Sequence, residues 1–413
     1  MTTPPNFHLV ARTGHPDFLD LPWGEPLGEW QTERFVELIR GISRHIVRFV
    51  EYDGTLYALK ELPERPARRE WTLLRRLEGQ GLPVVEPVGI VTGRGDDLDA
   101  VLITRHLEYS LPYRALFSGR GIPDLRTHLL NGLVELLARL HLRGFFWGDC
   151  SLSNALFRRD AGALTAYLVD AETGELHGAL SDGQRRYDLD IAQMNILGEL
   201  LDVDAEVGLP DDLDPDETAA EIVSRYDALW AELTHEETFA PDERFKVEER
   251  LHRLNQLGFD VEEIQLEATP GGYLLRLDPH VVEPGHHRHR LLRLTGLDAQ
   301  ENQARRMLND IARFREAEER KQKRPLSESV VASLWRQEVF EPTVAAVPDD
   351  LHGRLPAAEV FHQVLEHRWF LSESARKDVG IKEAVRSYVK SELPRRPPER
   401  VVLQGPVEPT DDD

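Results

Sequence analysis

The sequence predicts an α+β chain. One domain has a sheet-rich front and a helical back, and a second is mainly helical with a small hairpin. Three observations predict this. Between residues 32 and 104, short runs of β-branched and aromatic residues alternate with turn signals around a single helical stretch. From Leu125 the apolar period becomes helical. Past residue 241, charged helical patterns surround one hairpin signal, Thr269-Pro-Gly-Gly. At about 100–200 residues per domain, 413 residues suit two or three domains.

The elements follow in order. Residues 1–31 carry several prolines and the aromatics Phe7, Phe18 and Trp23, and read as an irregular arm on the first domain. Phe35 to Ile39 reads as a strand ending at Gly41, and His45 to Tyr52 as a second. Asp53-Gly54 is a hairpin turn signal that returns the chain as Thr55 to Leu62. Pro63 and Pro66 stop that strand, and Pro66 suits a first helical position. In the following helix Glu70 shares a face with Leu73, Leu74 and Leu77. Val84 to Thr92 and Ala100 to Thr104 are two more strands.

Leu129, Leu130, Leu133, Leu136, Leu137 and Leu140 mark an amphipathic helix over 125–142. Ala155 to Phe157 and Thr165 to Val169 read as brief strands, and Asp188 to Leu201 as a helix. Asp202 to Glu217 has an acidic residue at eight of sixteen positions and reads as a solvated loop. A helix from about Ala219 to Leu233 closes the first domain, expected over 32–235.

The second domain is expected over 241–394. It begins with a helix from Glu243 to Leu257 and a hairpin from Val261 to Leu277. A long charged helix spans Asp298 to Lys323, and further helices lie near 326–339, 356–371 and 379–392. The proline-rich tail over 395–413 ends in three aspartates and reads as disordered.

Hydrophobic residues make up 41% and charged residues 30%, the balance of a soluble globular chain. The formal charge is −23, which disfavours nucleic acid as a partner held by the overall field. One cysteine excludes an internal disulfide framework. There is no run of about 18 apolar residues to span a bilayer. The first ten residues lack signal-peptide order, so the cytoplasm is the expected compartment.

Four short features carry chemistry. Leu56-Tyr-Ala-Leu-Lys60 is a strand ending in a lysine, and Glu70 faces the core from the next helix. Trp147-Gly-Asp149-Cys-Ser-Leu-Ser-Asn154 is a polar loop, and Tyr167-Leu-Val-Asp170-Ala-Glu172 ends a short apolar strand in acid. Singly, each is an ordinary surface or turn residue about nine times in ten. Together they supply what a nucleoside triphosphate needs. A strand lysine holds phosphates and a glutamate holds the lysine. Asn154 and Asp170 are hard oxygen donors for Mg²⁺. Asp149 is then free to accept a proton from an attacking hydroxyl, in phosphoryl transfer of the kind that protein kinases perform.

Residues of about 32–235 resemble the protein-kinase-like superfamily, most of all its bacterial and atypical branches: lipopolysaccharide kinases, Rio kinases and aminoglycoside phosphotransferases. Glu70-Trp-Thr-Leu-Leu-Arg-Arg-Leu-Glu-Gly-Gln-Gly-Leu-Pro-Val resembles their helix and strand entry. Gly148-Asp149 with Asn154 resembles their catalytic loop, and Val169-Asp170-Ala-Glu172 their variant of the Asp-Phe-Gly motif. The whole chain resembles a bacterial family that joins such a domain to a C-terminal domain of unknown function. Gly144 to Asn154 and His367-Arg-Trp-Phe-Leu-Ser-Glu carry that likeness.

The resemblance implies a bilobal kinase-like fold and an ATP- and Mg²⁺-dependent phosphotransferase. The acceptor would be a hydroxyl on a small molecule, a lipid or sugar, or a protein. It implies that Lys60, paired with Glu70, contacts the α- and β-phosphates, and that Asp149 is the base. Asn154 and Asp170 would hold the metal. Thr104 to Leu107 would form the hinge, Arg105 and Leu107 presenting backbone groups to adenine. Asp190 would brace the catalytic loop or merely cap a helix.

Several positions depart from the family pattern. The turn Gly41-Ile-Ser-Arg44 replaces a Gly-rich loop. Trp147 stands where His is usual, and Ser151 where Lys or His is common. The alternative reading is a pseudokinase, a nucleotide-binding or scaffolding module that recruits a partner through its C-terminal domain.

Three further candidates are weaker. His280, His286, His287 and His289 read as a polar loop sooner than a metal site. Residues 284–324 carry a net +5, leaving −28 elsewhere. They read as a solvated mixed-charge helix, with an acidic partner as the sharper alternative. Cys150 reads as a buried small residue.

Overall fold

The computed structural model describes residues 7–37, 45–95, 97–113, 125–209, 213–235, 237–239, 264–269, 272–277, 286–375, 377 and 379–396. The front is one antiparallel sheet of six strands: β1 (His8–Ala11), β2 (Phe35–Val36), β3 (Ile46–Tyr52), β4 (Thr55–Leu62), β5 (Pro87–Thr92) and β6 (Ala100–Arg105). Their spatial order is β1-β5-β6-β4-β3-β2. Asp53 and Gly54 take φ of 49° and 78°, the left-handed pair that a tight hairpin requires. The expected turn over Gly41–Arg44 lies outside the described residues.

The arm departs from expectation. His8–Ala11 pairs with β5 as an edge strand. Phe18, Trp23, Leu27 and Trp30 then bury against Tyr57, Leu59, Val101 and Ile103 on one sheet face. Side chains alternate across a strand, so Lys60 and its partner Leu102 point to the opposite face. That face receives α1 (Glu64–Gly79), which begins two residues before Pro66. Ala67, Glu70, Trp71, Leu74 and Leu77 are its buried stripe.

Behind the sheet lie α2 (Leu125–Leu142), β7 (Phe145–Phe146), the hairpin β8 (Ala155–Asp160) and β9 (Ala163–Leu168), and β10 (Glu175–Leu176). Then come α3 (Asp182–Val207) and α4 (Pro215–Thr234). α2 packs on β9, with Gly132 at the crossing: a Cβ there would stand 2.4 Å from the Leu164 carbonyl oxygen. The acidic stretch Asp202–Glu217 is mostly helical, contrary to the expected loop. α3 runs on to Val207 and α4 starts at Pro215 with Asp214 as its N-cap.

β11 (Glu237–Phe239), β12 (Ile264–Thr269) and β13 (Gly272–Leu277) form a three-stranded antiparallel sheet that contains the expected hairpin. The helix expected over 243–257 lies outside the described residues, as do His280 and residues 397–413. The chain continues as α5 (His286–Thr295), α6 (Glu301–Gln322), α7 (Glu328–Trp335), α8 (Glu341–Ala345), α9 (Ala357–Ala375) and α10 (Ile381–Ser391). His286, His287 and His289 therefore sit in a helix, not a polar loop, and His287 Nδ1 pairs with Glu301 at 2.8 Å. In the +5 segment, Arg288, Arg290, Arg306, Arg315 and Lys321 each pair with a carboxylate of this chain.

The two parts meet at the β8–β9 hairpin. Asp160 is fully buried and accepts from the backbone amides of Asn302 (3.1 Å) and Gln303 (2.9 Å), in the first turn of α6. Tyr167 donates to Gln300 at 2.6 Å, and Ala161 N–H to Glu359 at 3.1 Å. Burial pushes the Asp160 carboxyl up to about 6, although the two amides pull it down. Beside this junction lies a cavity of about 490 Å³, lined by Arg105 to Glu108 from the first part and Arg288, Asp298 and Glu301 from the second. Among the described residues no helix is long and apolar enough to cross a membrane.

Candidate active site

The structure brings Lys60, Glu70 and Asp170 together. Lys60 Nζ donates to Glu70 Oε2 at 2.9 Å and to Asp170 Oδ2 at 2.6 Å, and stands 3.7 Å from Glu172 Oε2. Burial and nearby Asp170 push the Glu70 carboxyl up to about 8, against the pull of Lys60. Burial pulls Lys60 down, but Glu70 and Asp170 outweigh it and hold the ammonium above its ordinary value. Glu172 also accepts from His45 Nε2 at 2.7 Å, tying the entry of β3 to the segment after Asp170. Glu70, Asp170 and Glu172 bring one oxygen each within 4.8 Å of one another.

The loop from Trp147 to Asn154 leaves β7 through Gly148, whose φ is +74°. A Cβ there would press on the Phe146 ring at 3.1 Å. The loop is held from below by one helix, α3. Asp188, fully buried, accepts from the amides of Trp147 (2.7 Å) and Gly148 (2.8 Å) and pairs with His141 at 3.0 Å. Two turns on, Asn195 Nδ2 donates to Asp149 Oδ1 (3.1 Å) and to the Cys150 carbonyl (3.2 Å). One turn further, Glu199 accepts from the amides of Leu152 (2.6 Å) and Ser153 (2.9 Å).

This corrects the reading of Asp190. It is exposed, and the helix N-cap is Ser181, so it fills neither proposed role. Asp188 braces the loop. Asn195 and Glu199 were missed altogether. Their signal is polar side chains spaced seven and eleven residues after Asp188, beside the buried stripe Leu189, Ala192, Ile196 and Leu200.

Asn154 Nδ2 donates to the Asp149 backbone carbonyl (2.9 Å) and to Asp149 Oδ2 (3.2 Å). Its amide oxygen is thereby turned away from Asp149. Val169 N–H donates to the Asn154 carbonyl at 3.0 Å, so Asn154 and Asp170 flank the base of one hairpin. Their donors fit a hard divalent cation, which takes oxygen ligands and few carboxylates. Trp147 is fully buried and donates from Nε1 to the Asp170 carbonyl at 3.1 Å. Ser151 accepts from Asn154 N–H at 3.2 Å and brings no charge. Cys150 is fully buried, and burial pushes its thiol well above the usual range.

At the hinge, Arg105 N–H donates to Glu86 and His106 N–H to Leu56, both at 2.9 Å. The Leu107 carbonyl accepts from Ser110 N–H at 3.2 Å. The His106 ring stands edge-on to Phe49 of β3, centroids 5.6 Å apart, with Nε2 buried and unpartnered. Burial pulls that imidazole down to about 4.

Two family models match stretches of this chain. The model of the lipopolysaccharide kinase (Kdo/WaaP) family matches residues 48–197. The model of a domain of unknown function, DUF4032, matches residues 228–393. A solved structure, WaaP in complex with acyl carrier protein, aligns at 18% identity and a TM-score of 0.33, over 54% of this chain and 88% of that one. No curated protein matches. The chain thus carries a stretch that matches the lipopolysaccharide kinase (Kdo/WaaP) model, followed by one that matches the DUF4032 model.

Proposed function

We propose that the protein is an atypical phosphotransferase that uses Mg²⁺-ATP to phosphorylate a hydroxyl acceptor. The carrying observation is Lys60 held between Glu70 and Asp170 across the cleft. A lysine fixed at that point by two carboxylates is ready to meet phosphate oxygens. A Mg²⁺ ion held by Asn154 and Asp170 would neutralise charge on the phosphates. Asp149 orients the acceptor hydroxyl and takes its proton as the new P–O bond forms to the γ-phosphorus and the bond to the β–γ bridging oxygen breaks, leaving ADP. Arg105 and Leu107 offer backbone groups to the nucleobase. Phe49 and His106 close the slot around it. Most of the work in such transfer is positioning and charge neutralisation. The three braces from α3 serve the first and Lys60 the second.

Thermal unfolding tests the nucleotide. Bound at about 100 times its dissociation constant, a ligand adds roughly 2.7 kcal/mol to native stability. Mg²⁺-ATP is expected to raise the midpoint of wild type and not of Asp170→Asn. Asp149→Asn should keep that rise and lose turnover. Turnover by Asp149→Asn equal to wild type would sink the base assignment. Ser151, neutral and engaged with Asn154, favours one other reading, a domain that binds nucleotide without transferring phosphate and serves as a scaffold. A Mg²⁺-ATP shift with no turnover on any hydroxyl acceptor class would select it.

A further inference from the structure

We propose that the outward face of α3 docks a basic, amphipathic helix of a partner protein. Tyr187, Met194 and Leu201 are 62%, 74% and 49% exposed. They stand seven residues apart, and half-buried Ile191 and Leu197 lie between them. Seven-residue spacing keeps side chains on one stripe of a helix, here about 21 Å long at 1.5 Å per residue. A stripe of that period, unfilled, fits the apolar seam of another helix. Its first residue is pre-ordered: Tyr187 stacks on Phe146 with centroids 6.1 Å apart and planes at 13°.

The rim selects the partner's charge. Asp190, Asp202, Asp204 and Glu206 are exposed along the stripe. Arg186, on the same rim, is paired with Asp227 at 3.3 Å. An acidic rim repels a second copy of this chain, whose formal charge is −23, and it repels an anionic bilayer. Lysines flanking an apolar seam complement it. The stripe lies about 100° round α3 from Asn195, which holds Asp149, so a bound helix would sit beside the Asp149 loop. The surface stands whether or not Asp149 is a base.

The probe is a fluorescent synthetic helix of 18 residues with leucines at heptad spacing and lysines elsewhere, titrated with the full chain. Saturable binding is expected. Met194→Glu should weaken it at least tenfold, although that change adds a negative charge. A matching leucine–glutamate helix should not bind. Equal binding by Met194→Glu, or by a scrambled peptide with no apolar face, would show mere charge attraction and overturn the proposal. So would a wild-type dimer that Met194→Glu dissolves in sedimentation, or flotation with phosphatidylserine vesicles that Met194→Glu abolishes. An unchanged melting midpoint checks the fold of the variant, and Leu201→Glu replaces it if that midpoint falls.

Discussion

Asp149 is gripped by two amides, Asn154 on Oδ2 and Asn195 on Oδ1, so its carboxylate has one orientation. On the proposed reading of Asp149 as the base, Asn195→Ala should lower kcat by about ten- to hundredfold with little change in KM, since a base misplaced by about 1 Å costs that much. An unaltered kcat would mean that Asn154 alone orients the group. Asp188 is a different case, because its two carboxylate oxygens accept from the amides of buried Trp147 and half-buried Gly148. Asp188→Ala should cost roughly 2–5 kcal/mol in urea unfolding, the penalty of stranding buried donors. His106 makes stability depend on pH. Its imidazole is held at about 4 when folded and returns to about 6.5 when unfolded. Between those values the unfolded chain binds the extra proton, so stability falls as pH drops from about 6.5 to 4, by about 3 kcal/mol at most. The raised Asp160 carboxyl works in the opposite sense, losing stability as pH rises from about 4 to 6. Comparing wild type with His106→Leu at pH 7 and pH 5 isolates the histidine, and an identical slope in both would refute its burial.

Elements with local signatures were legible. β3 and β4 announce themselves through alternation and Asp53-Gly54, and α2 through its leucines. Lys60, Glu70, Asp149, Asn154 and Asp170 stood out by their order along the chain, Lys60 within a strand, Glu70 within the next helix, Asp149 and Asn154 in a loop and Asp170 after a short strand. Helix ends were harder, for a physical reason. Acidic residues mark solvent, not loop. α3 ends where Gly208 takes a φ of 78°, six residues into the acidic run, and starts at the Ser181–Gln184 capping box. Asp188 and Asp190 are two residues apart in one helix, and only its rotation about its axis decides which is buried. That rotation is set by packing on α4 and the Trp147–Asn154 loop, partners distant in sequence. Gly132 shows the same dependence: nothing nearby in sequence demands glycine, yet β9 crosses there. Gly132→Ala should destabilise by about 1–3 kcal/mol through overpacking, read as a lower urea midpoint at unchanged slope. No loss would mean that α2 and β9 can separate at little cost.

At the scale of the molecule, the kinase-like part and the helical part share buried polar contacts at Asp160, Tyr167, Gln300, Gln303 and Glu359. None was legible, since an aspartate at a hairpin tip looks like any turn residue until a helix start arrives opposite it. Asp160→Ala removes the acceptor of two α6 amides and should cost about 1–3 kcal/mol. Calorimetry of wild type should show one cooperative transition, and two separate peaks would mean that the junction does not couple the parts. Asn154 and Asp170 stand at the two ends of the hairpin that Asp160 closes. This arrangement has a consequence in time. Gln303 follows Asp160 by 143 residues. A ribosome adding roughly 5–20 residues per second takes about 7–30 s to cover that interval. For those seconds the nascent chain holds both proposed metal-side residues on a hairpin whose tip has nothing to cap. The contact that ties this hairpin to the helical part is therefore made only after α6 emerges, more than a hundred residues later.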